Sequence, residues 1–99
     1  SGLRLINLGN GIWFLEALET SPNDRNNGYG KLLLNSIIEY LKTYDAKKLE
    51  CLIGSTNIAS QRTHESCGFI RTNLSPIDWD GAICKTAIKY IYFFKNMSI

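Results

Sequence analysis

Two glycines separated by one residue lie in the segment Arg25-Asn-Asn-Gly28-Tyr-Gly30, just before a stretch with a helical pattern. Glycine lets a phosphate group approach the backbone with no Cβ in the way, and the amides at a helix start favour an anion. Arg25 can add a charge-assisted contact. The segment therefore fits either a pyrophosphate-binding turn or a tight turn that only joins a strand to a helix.

Other chemistry-bearing patterns are missing from the sequence. Leu33 stands where the dinucleotide-binding pattern G-x-G-x-x-G needs its last glycine. The three cysteines, Cys51, Cys67 and Cys84, are widely spaced and match no metal-ligand pattern, so we predict no metal site. Reduced thiols are typical of the cytoplasm, which is the predicted location.

Charge and hydropathy narrow the range of partners. The formal net charge is +2, with basic residues scattered along the chain, and this gives no reason to expect a nucleic-acid partner. No apolar stretch reaches the length of a membrane span, and the N-terminus has no signal-peptide pattern. We therefore predict no membrane partner.

The elements that must position these residues follow the order β-β-α-β-α-β-β in one domain, residues 1–99. Gly9-Asn10-Gly11 predicts a hairpin turn, and apolar residues three and four apart from Leu34 to Leu41 predict a helix that starts at Lys31. The strand, helix and strand at the centre imply a parallel pair, and the fold class is α/β with a mixed sheet and flanking helices. The predicted strands cover 3–8, 12–20, 49–54, 69–72 and 83–94, and a second helix covers 58–66, with Asn57 among its candidate N-cap residues.

Two sequence blocks together resemble the GNAT acetyltransferase superfamily. Pro22-x-x-Arg25-x-x-Gly28-x-Gly30, after a strand and before an amphipathic helix, is similar to the acetyl-CoA signature of that family. The second block begins at Asn57 and has a small residue at +3, His64 at +7 and Gly-Phe at +11. Only His64 departs from the family pattern, which usually has tyrosine there. The resemblance covers about residues 12–72.

This resemblance implies a fold and a cofactor site. The fold is a GNAT-like acyl-CoA N-acyltransferase fold that lacks the first strand-helix-helix-strand segment. The strand 13–20 is expected to splay from its parallel neighbour 49–54, and acetyl-CoA is expected to lie in the gap. The residues that the resemblance assigns to cofactor binding are Leu18, Thr20, Arg25, Asn26, Asn27, Gly28, Tyr29, Gly30, Lys31, Asn57 and Ser60.

The resemblance also implies direct transfer of an acetyl group to an amine, without an acyl-enzyme. Glu16 is the candidate base, because it lies one or two residues from where the family often places a base. Residues 14, 16, 18 and 20 of an extended strand share one face, so Glu16 is expected on the face of Leu18. His64 is the candidate acid, because the resemblance places it where the family usually has a tyrosine acid close to the CoA sulfur. Imidazole can serve in that role, since its unperturbed pKa of about 6.5 lies near physiological pH. A solvated strand carboxylate and a helix-surface histidine are the alternatives. The amine acceptor is not predicted.

Alternatives to an N-acetyltransferase remain open at this point. The chain can be an acetyl-CoA-binding module or subunit without its own acceptor site, or a small α/β interaction domain. It can also be a fragment or a naturally short variant. Strand 3–8 would leave an open sheet edge in so short a chain, and we therefore predict a homodimer that covers it.

Overall fold

The computed structural model describes residues 3–17 and 29–95. Within these ranges the chain forms one five-stranded sheet, with the strand order β1-β2-β3-β5-β4, and two helices. This architecture confirms the predicted α/β class and the predicted order of elements. The elements are β1 (Leu3–Gly9), β2 (Ile12–Ala17), α1 (Tyr29–Lys42), β3 (Lys48–Gly54), α2 (Ile58–Ser66), β4 (Ile70–Arg71) and β5 (Ala87–Phe93).

Strands β1 and β2 form the predicted hairpin. They pair antiparallel from Leu3 opposite Ala17 to Gly9 opposite Ile12. The turn between them has φ values of 90°, 55° and 80° at Gly9, Asn10 and Gly11. Glycine and asparagine are the residues that tolerate this left-handed region, which explains why the sequence signal for the turn was strong.

Strands β2 and β3 form a parallel pair that is shorter than either strand. The pairing runs from Ile12 opposite Lys48 to Phe14 opposite Glu50 and then stops. Strand β3 pairs with β5 over its whole length, up to Gly54. The early end of the β2–β3 pairing agrees with the expected divergence of these strands.

Both helices pack on the same face of the sheet. The residues Leu34, Ile37, Ile38 and Leu41 of α1 are at most 6% exposed, as the helical periodicity predicted. They join a core that includes the alternate β3 residues Leu49, Cys51 and Ile53, together with Phe69 and Tyr90. Neither described helix combines the length and the apolar character that a membrane crossing requires.

The last strand is shorter than the sequence indicated. It begins at Ala87 and not at Ile83, because Ala87 lies opposite Gly54, the last residue of β3. Before it, the N–H of Ala87 donates to the carbonyl of Cys84 at 3.1 Å and closes a turn. Ile83 instead makes an isolated bridge with Ile77. The strand predicted over 69–72 is also reduced, to Ile70–Arg71.

Candidate functional site

A cavity of about 300 Å³ lies where β2 and β3 separate. It is on the face of the sheet opposite the helices, and part of the β4–β5 connection forms its other wall. Its volume is at the lower end of the range for small-ligand sites. The lining residues are Phe14, Leu15 and Glu16 of β2, Leu52 and Gly54 of β3, and Asp78, Cys84, Thr86 and Ala87.

Glu16, the predicted base, borders this cavity together with Phe14, as the alternation along the strand predicted. Its Oε2 accepts a hydrogen bond from Nε1 of Trp79 at 2.9 Å, and Oε1 forms an ion pair with Arg4. The bond from Trp79 and the charge of Arg4 lower the pKa of the Glu16 carboxyl. The carboxylate is therefore ionised at neutral pH but is a weaker proton acceptor than an unpaired one.

His64, the predicted acid, lies on α2 and is largely buried. Its Nδ1 donates to the carbonyl oxygen of Ser60 at 2.7 Å, and its ring packs edge-on to Phe69 with centroids 5.0 Å apart. Burial lowers the pKa of His64, and the bond to Ser60 offsets this only in part. The ring is thus neutral near pH 7 with Nε2 as an acceptor, so proton donation first requires protonation of that nitrogen.

The structure does not bring the two predicted catalytic residues to the same cavity. Glu16 is part of the cavity wall, whereas His64 is not among the described residues that line it. Their assignment as base and acid stays a prediction.

Asn57 and Ser60, both predicted to bind the cofactor, begin helix α2. The side chain of Asn57 accepts a hydrogen bond from the N–H of Ser60 at 3.1 Å, which is the predicted N-cap. The N–H of Asn57 donates to the carbonyl of Gly54 at 3.0 Å. This places the positive end of the α2 dipole next to a residue of the cavity wall, where it favours an anionic or strongly polar ligand group.

Gly30, in the first turn of α1, is not required by the packing of the helix. A Cβ at this position would lie 3.6 Å from Cγ2 of Thr63, which is ordinary van der Waals contact. Gly30 is not among the residues with positive φ. Glycine inside a helix is about 0.5–1 kcal/mol less stable than alanine. The glycine therefore lacks a structural reason among the described residues, and this fits the close approach of a ligand. Lys31 follows it in the same turn and is exposed.

The remaining predicted cofactor residues lie outside the described residues. These are Leu18, Thr20, Arg25, Asn26, Asn27 and Gly28. Only the backbone of Tyr29 is described, as the first residue of α1. The interpretation of Arg25–Gly30 as a pyrophosphate-binding turn stays a prediction.

Three residues that shape the site carry no signal of that role in the sequence: Arg4, Asp78 and Trp79. The last two lie between the predicted strands 69–72 and 83–94, where the sequence predicts no helix or strand. The bond from Trp79 joins it to a residue 63 positions earlier. No local pattern signals a contact over that separation, so the sequence offered no means of finding it.

The sequence model of the Acetyltransferase (GNAT) family matches residues 2–69. This is more than half of the 99 residues. The chain therefore belongs to the GNAT acetyltransferase family, which confirms the resemblance carried by its two sequence blocks. A search of curated proteins found no match.

Solved structures of several acetyltransferases share the fold. The IAA acetyltransferase from Bacillus cereus has a TM-score of 0.74 at 19% identity and covers 93% of this chain and 68% of its own. A Bacillus subtilis acetyltransferase in complex with CoA has a TM-score of 0.73 at 16% identity, over 94% of this chain and 68% of its own. The spermidine N-acetyltransferase from Vibrio cholerae, in complex with CoA and spermine, has a TM-score of 0.69 at 17% identity, over 92% of this chain and 56% of its own.

Proposed function

We propose that the protein is an acetyl-CoA-dependent N-acetyltransferase that transfers the acetyl group directly to an amine. The observation that carries the proposal is the early end of the β2–β3 pairing. Beyond Phe14 and Glu50 the two strands no longer pair with each other, and a cavity opens at this point on the face of the sheet opposite the helices. Membership of the GNAT family and the CoA bound in a relative of the same fold support the choice of cosubstrate.

Acetyl-CoA is the cosubstrate, and the proposal divides its binding between two regions. Amides of residues 25–31 would hold the pyrophosphate, and the unexplained glycine at position 30 supports this assignment. Backbone groups around Leu18 and Thr20 would hold the pantetheine arm and polarise the thioester carbonyl. Asn57 and Ser60 would line the other side of that arm.

In the proposed reaction the amine nitrogen attacks the thioester carbon, a C–N bond forms, and the C–S bond breaks. Glu16 would take the proton of the amine, directly or through water, and it is ionised as this role requires. His64 would give a proton to the departing thiolate. Because burial keeps its ring neutral, that step would be favoured at lower pH.

A second function, an acetyl-CoA-binding module without its own acceptor site, is favoured by one specific observation. The chain spans 68% of two of the compared acetyltransferases and 56% of the third. An acceptor site that needs residues from the remaining length would leave this chain able to bind acetyl-CoA and unable to transfer its acetyl group.

We also propose a homodimer and a cytoplasmic location. Strand β1 has β2 as its only partner among the described residues, and its Leu3 and Leu8 are more than one-third exposed. A second copy of the chain can cover such an edge. Light scattering that finds a monomer at high concentration would contradict the dimer. Free thiols at Cys51, Cys67 and Cys84 support the cytoplasm.

Calorimetric titration with acetyl-CoA tests the proposed function, with ATP and NAD as control ligands. We expect selective binding by the wild type. Gly30→Ala should lower acetyl-CoA affinity about tenfold, because one or two amide contacts to phosphate are lost. Its free energy of unfolding should stay equal or rise by up to about 0.5–1 kcal/mol.

Ser36→Ala is the matched control for this titration. Ser36 lies further along the same helix, and its hydroxyl donates to the carbonyl of Leu32 at 3.0 Å. Its substitution should leave the acetyl-CoA affinity unchanged. No binding of acetyl-CoA by the folded wild type would overturn the proposed function for this chain.

A further inference from the structure

The connection from β4 to β5 has a fixed shape where it covers the cavity. Ile77 and Ile83 form an isolated bridge, and the N–H of Asp78 donates to the carbonyl of Ala82 at 2.7 Å. The N–H of Gly81 donates to the carbonyl of Asp78 at 3.0 Å. Both the N–H and the carbonyl of Asp78 are therefore hydrogen-bonded, which fixes the backbone position from which its side chain extends.

A ring of three side chains attaches this connection to the sheet. Trp79 donates to Glu16 on β2, and the guanidinium of Arg4 on β1 lies 5.3 Å from the centroid of the Trp79 ring. Arg4 also pairs with the second oxygen of Glu16. Both oxygens of Glu16 are thus engaged, and the residue next to Asp78 is anchored at the border of the cavity.

Asp78 differs from the other polar side chains of the cavity. It is half-buried, and its Oδ1 accepts a hydrogen bond from the N–H of Trp79 at 2.8 Å. Among the described residues, its Oδ2 has no hydrogen-bond partner. Cys84 and Thr86 face each other, with Sγ and Oγ1 3.7 Å apart. Asp78 is therefore the charged cavity residue with an oxygen left for a ligand.

We propose that Asp78 binds the ammonium group of the amine acceptor and that Trp79 is the positioning residue for it. This rests on the proposed function, whose acceptor it restricts to an alkylamine that arrives protonated. A carboxylate and an ammonium group form a charge-assisted hydrogen bond, which is stronger than a neutral one. Phe14 and Leu52, on the sheet side of the cavity, offer apolar surface to the alkyl chain.

The test uses nuclear magnetic resonance of the ¹⁵N-labelled protein with n-butylammonium as the probe and n-butanol as its neutral control. The sequence has two tryptophans, so Trp13→Phe assigns the indole N–H signal of Trp79. We expect n-butylammonium to shift the Trp79 signal saturably and n-butanol to leave it unchanged. Asp78→Asn should weaken n-butylammonium binding about tenfold, whereas Asp78→Glu should retain most of it.

Two further variants test whether the effect is specific to Asp78. Glu39→Gln removes a carboxylate that pairs with Lys42 on α1 and is not among the described residues lining the cavity, so it should bind n-butylammonium within about twofold of the wild type. Binding to the Trp79→Phe variant is monitored through the backbone N–H signal of residue 78, because this variant lacks the Trp79 indole. It should be severalfold weaker than binding to the wild type, although the carboxylate of Asp78 is present. Weakening by Glu39→Gln as large as by Asp78→Asn, or no saturable shift in the wild type, would overturn the proposal.

The same samples are titrated with acetyl-CoA. If n-butylammonium binds and acetyl-CoA does not, the assignment of Asp78 stands and the proposed function fails. If acetyl-CoA binds and n-butylammonium does not, the proposed function stands and the assignment of Asp78 fails. The spectra also report whether each variant is folded, so loss of binding is not confused with loss of structure.

Discussion

The parallel pair of β2 and β3 has a closed end and an open end. At the closed end, residues 12–14 pair with residues 48–50, and the carbonyl of Gly11 accepts from the N–H groups of Lys47 and Lys48 at 2.7 and 3.2 Å. At the open end, residues 15–17 and 51–54 do not pair with each other, and Glu16 borders a cavity. One pair of strands thus gives both rigid support and room for a ligand.

The difference between the ends is also a difference in what each residue contributes. At the closed end, ladder hydrogen bonds and the packed core fix residues such as Leu49, so substitutions there should act on stability. On the cavity face of the open end, residues such as Leu52 and Gly54 lie beside empty volume, so their substitution should act mainly on binding. This separation is expected where a scaffold positions a site without being part of it.

Two leucines on β3 give the largest expected contrast. Leu49 is fully buried in the core at the closed end, whereas Leu52 is half-buried beside the cavity at the open end. Leu49→Ala should lower the free energy of unfolding by about 2–5 kcal/mol, because it leaves a void in a packed core. Leu52→Ala should lower it by about 1 kcal/mol. Urea unfolding measures both, and equal losses would remove the distinction between the ends.

Two glycines sharpen the comparison at a smaller scale. Gly11, at the closed end, has a φ of 80°, and a Cβ there would lie 2.9 Å from Cγ of Lys47. Gly11→Ala should therefore lower the free energy of unfolding by about 1–2 kcal/mol. A Cβ on Gly54, at the open end, would lie 3.7 Å from Cβ of Asn57, which is ordinary contact.

Gly54→Ala is accordingly the matched variant at the open end. It should keep the free energy of unfolding within about 0.5 kcal/mol of the wild type. Its acetyl-CoA affinity should fall, because the added methyl group on the cavity wall narrows the cavity. Urea unfolding and calorimetry together test this, and a loss of stability equal to that of Gly11→Ala would contradict it.

The closed end could be predicted from the sequence much better than the open end. The spacing of Leu34, Ile37 and Leu41 specified the helix that joins the two strands, and strand-helix-strand order specified their parallel pairing. Local patterns carry this information because each depends on residues a few positions apart. The hairpin turn at Gly9–Gly11 is local in the same sense.

The contacts at the open end are not local. The ring of Arg4, Glu16 and Trp79 joins three distant parts of the chain, and no periodicity encodes it. The start of β5 at Ala87 was likewise decided by its partner, since β3 ends opposite that residue. The fold class and most elements were therefore predictable, whereas the surroundings of the predicted base were not.

The contacts of Glu16 with Arg4 and Trp79 predict a pH dependence of the free energy of unfolding. These contacts lower the pKa of Glu16 in the fold, so their contribution is present above the usual carboxyl pKa of about 4.3 and is lost as pH falls through the folded value. Glu16→Gln should therefore destabilise the protein at neutral pH, and the difference from wild type should disappear in acid. Chemical unfolding across this pH range measures the difference.

Glu39→Gln is the control for this experiment. Glu39 forms an exposed ion pair with Lys42 on α1, with 2.8 Å between Oε2 and Nζ. Exposed pairs of this kind contribute little to stability, so the substitution should leave the unfolding free energy nearly unchanged. A Glu16→Gln effect that persists unchanged into acid would show that its charge is not the cause.

The smallest expected effect concerns His64. Its measurement tests whether this residue takes part in the site at the open end. Burial lowers its pKa in the fold, so the unfolded chain binds the proton more readily, and stability should fall as pH drops below about 6.5. His64 is the sole histidine of the sequence, so its ring titration can be followed directly by nuclear magnetic resonance. His64→Gln should abolish the part of the stability loss between about pH 7 and 5.5 that this ring causes.

A shift of the His64 titration in the wild type on addition of acetyl-CoA would bring His64 into the proposed chemistry. An unshifted titration, with acetyl-CoA bound, would leave it as a residue that packs α2 against Phe69.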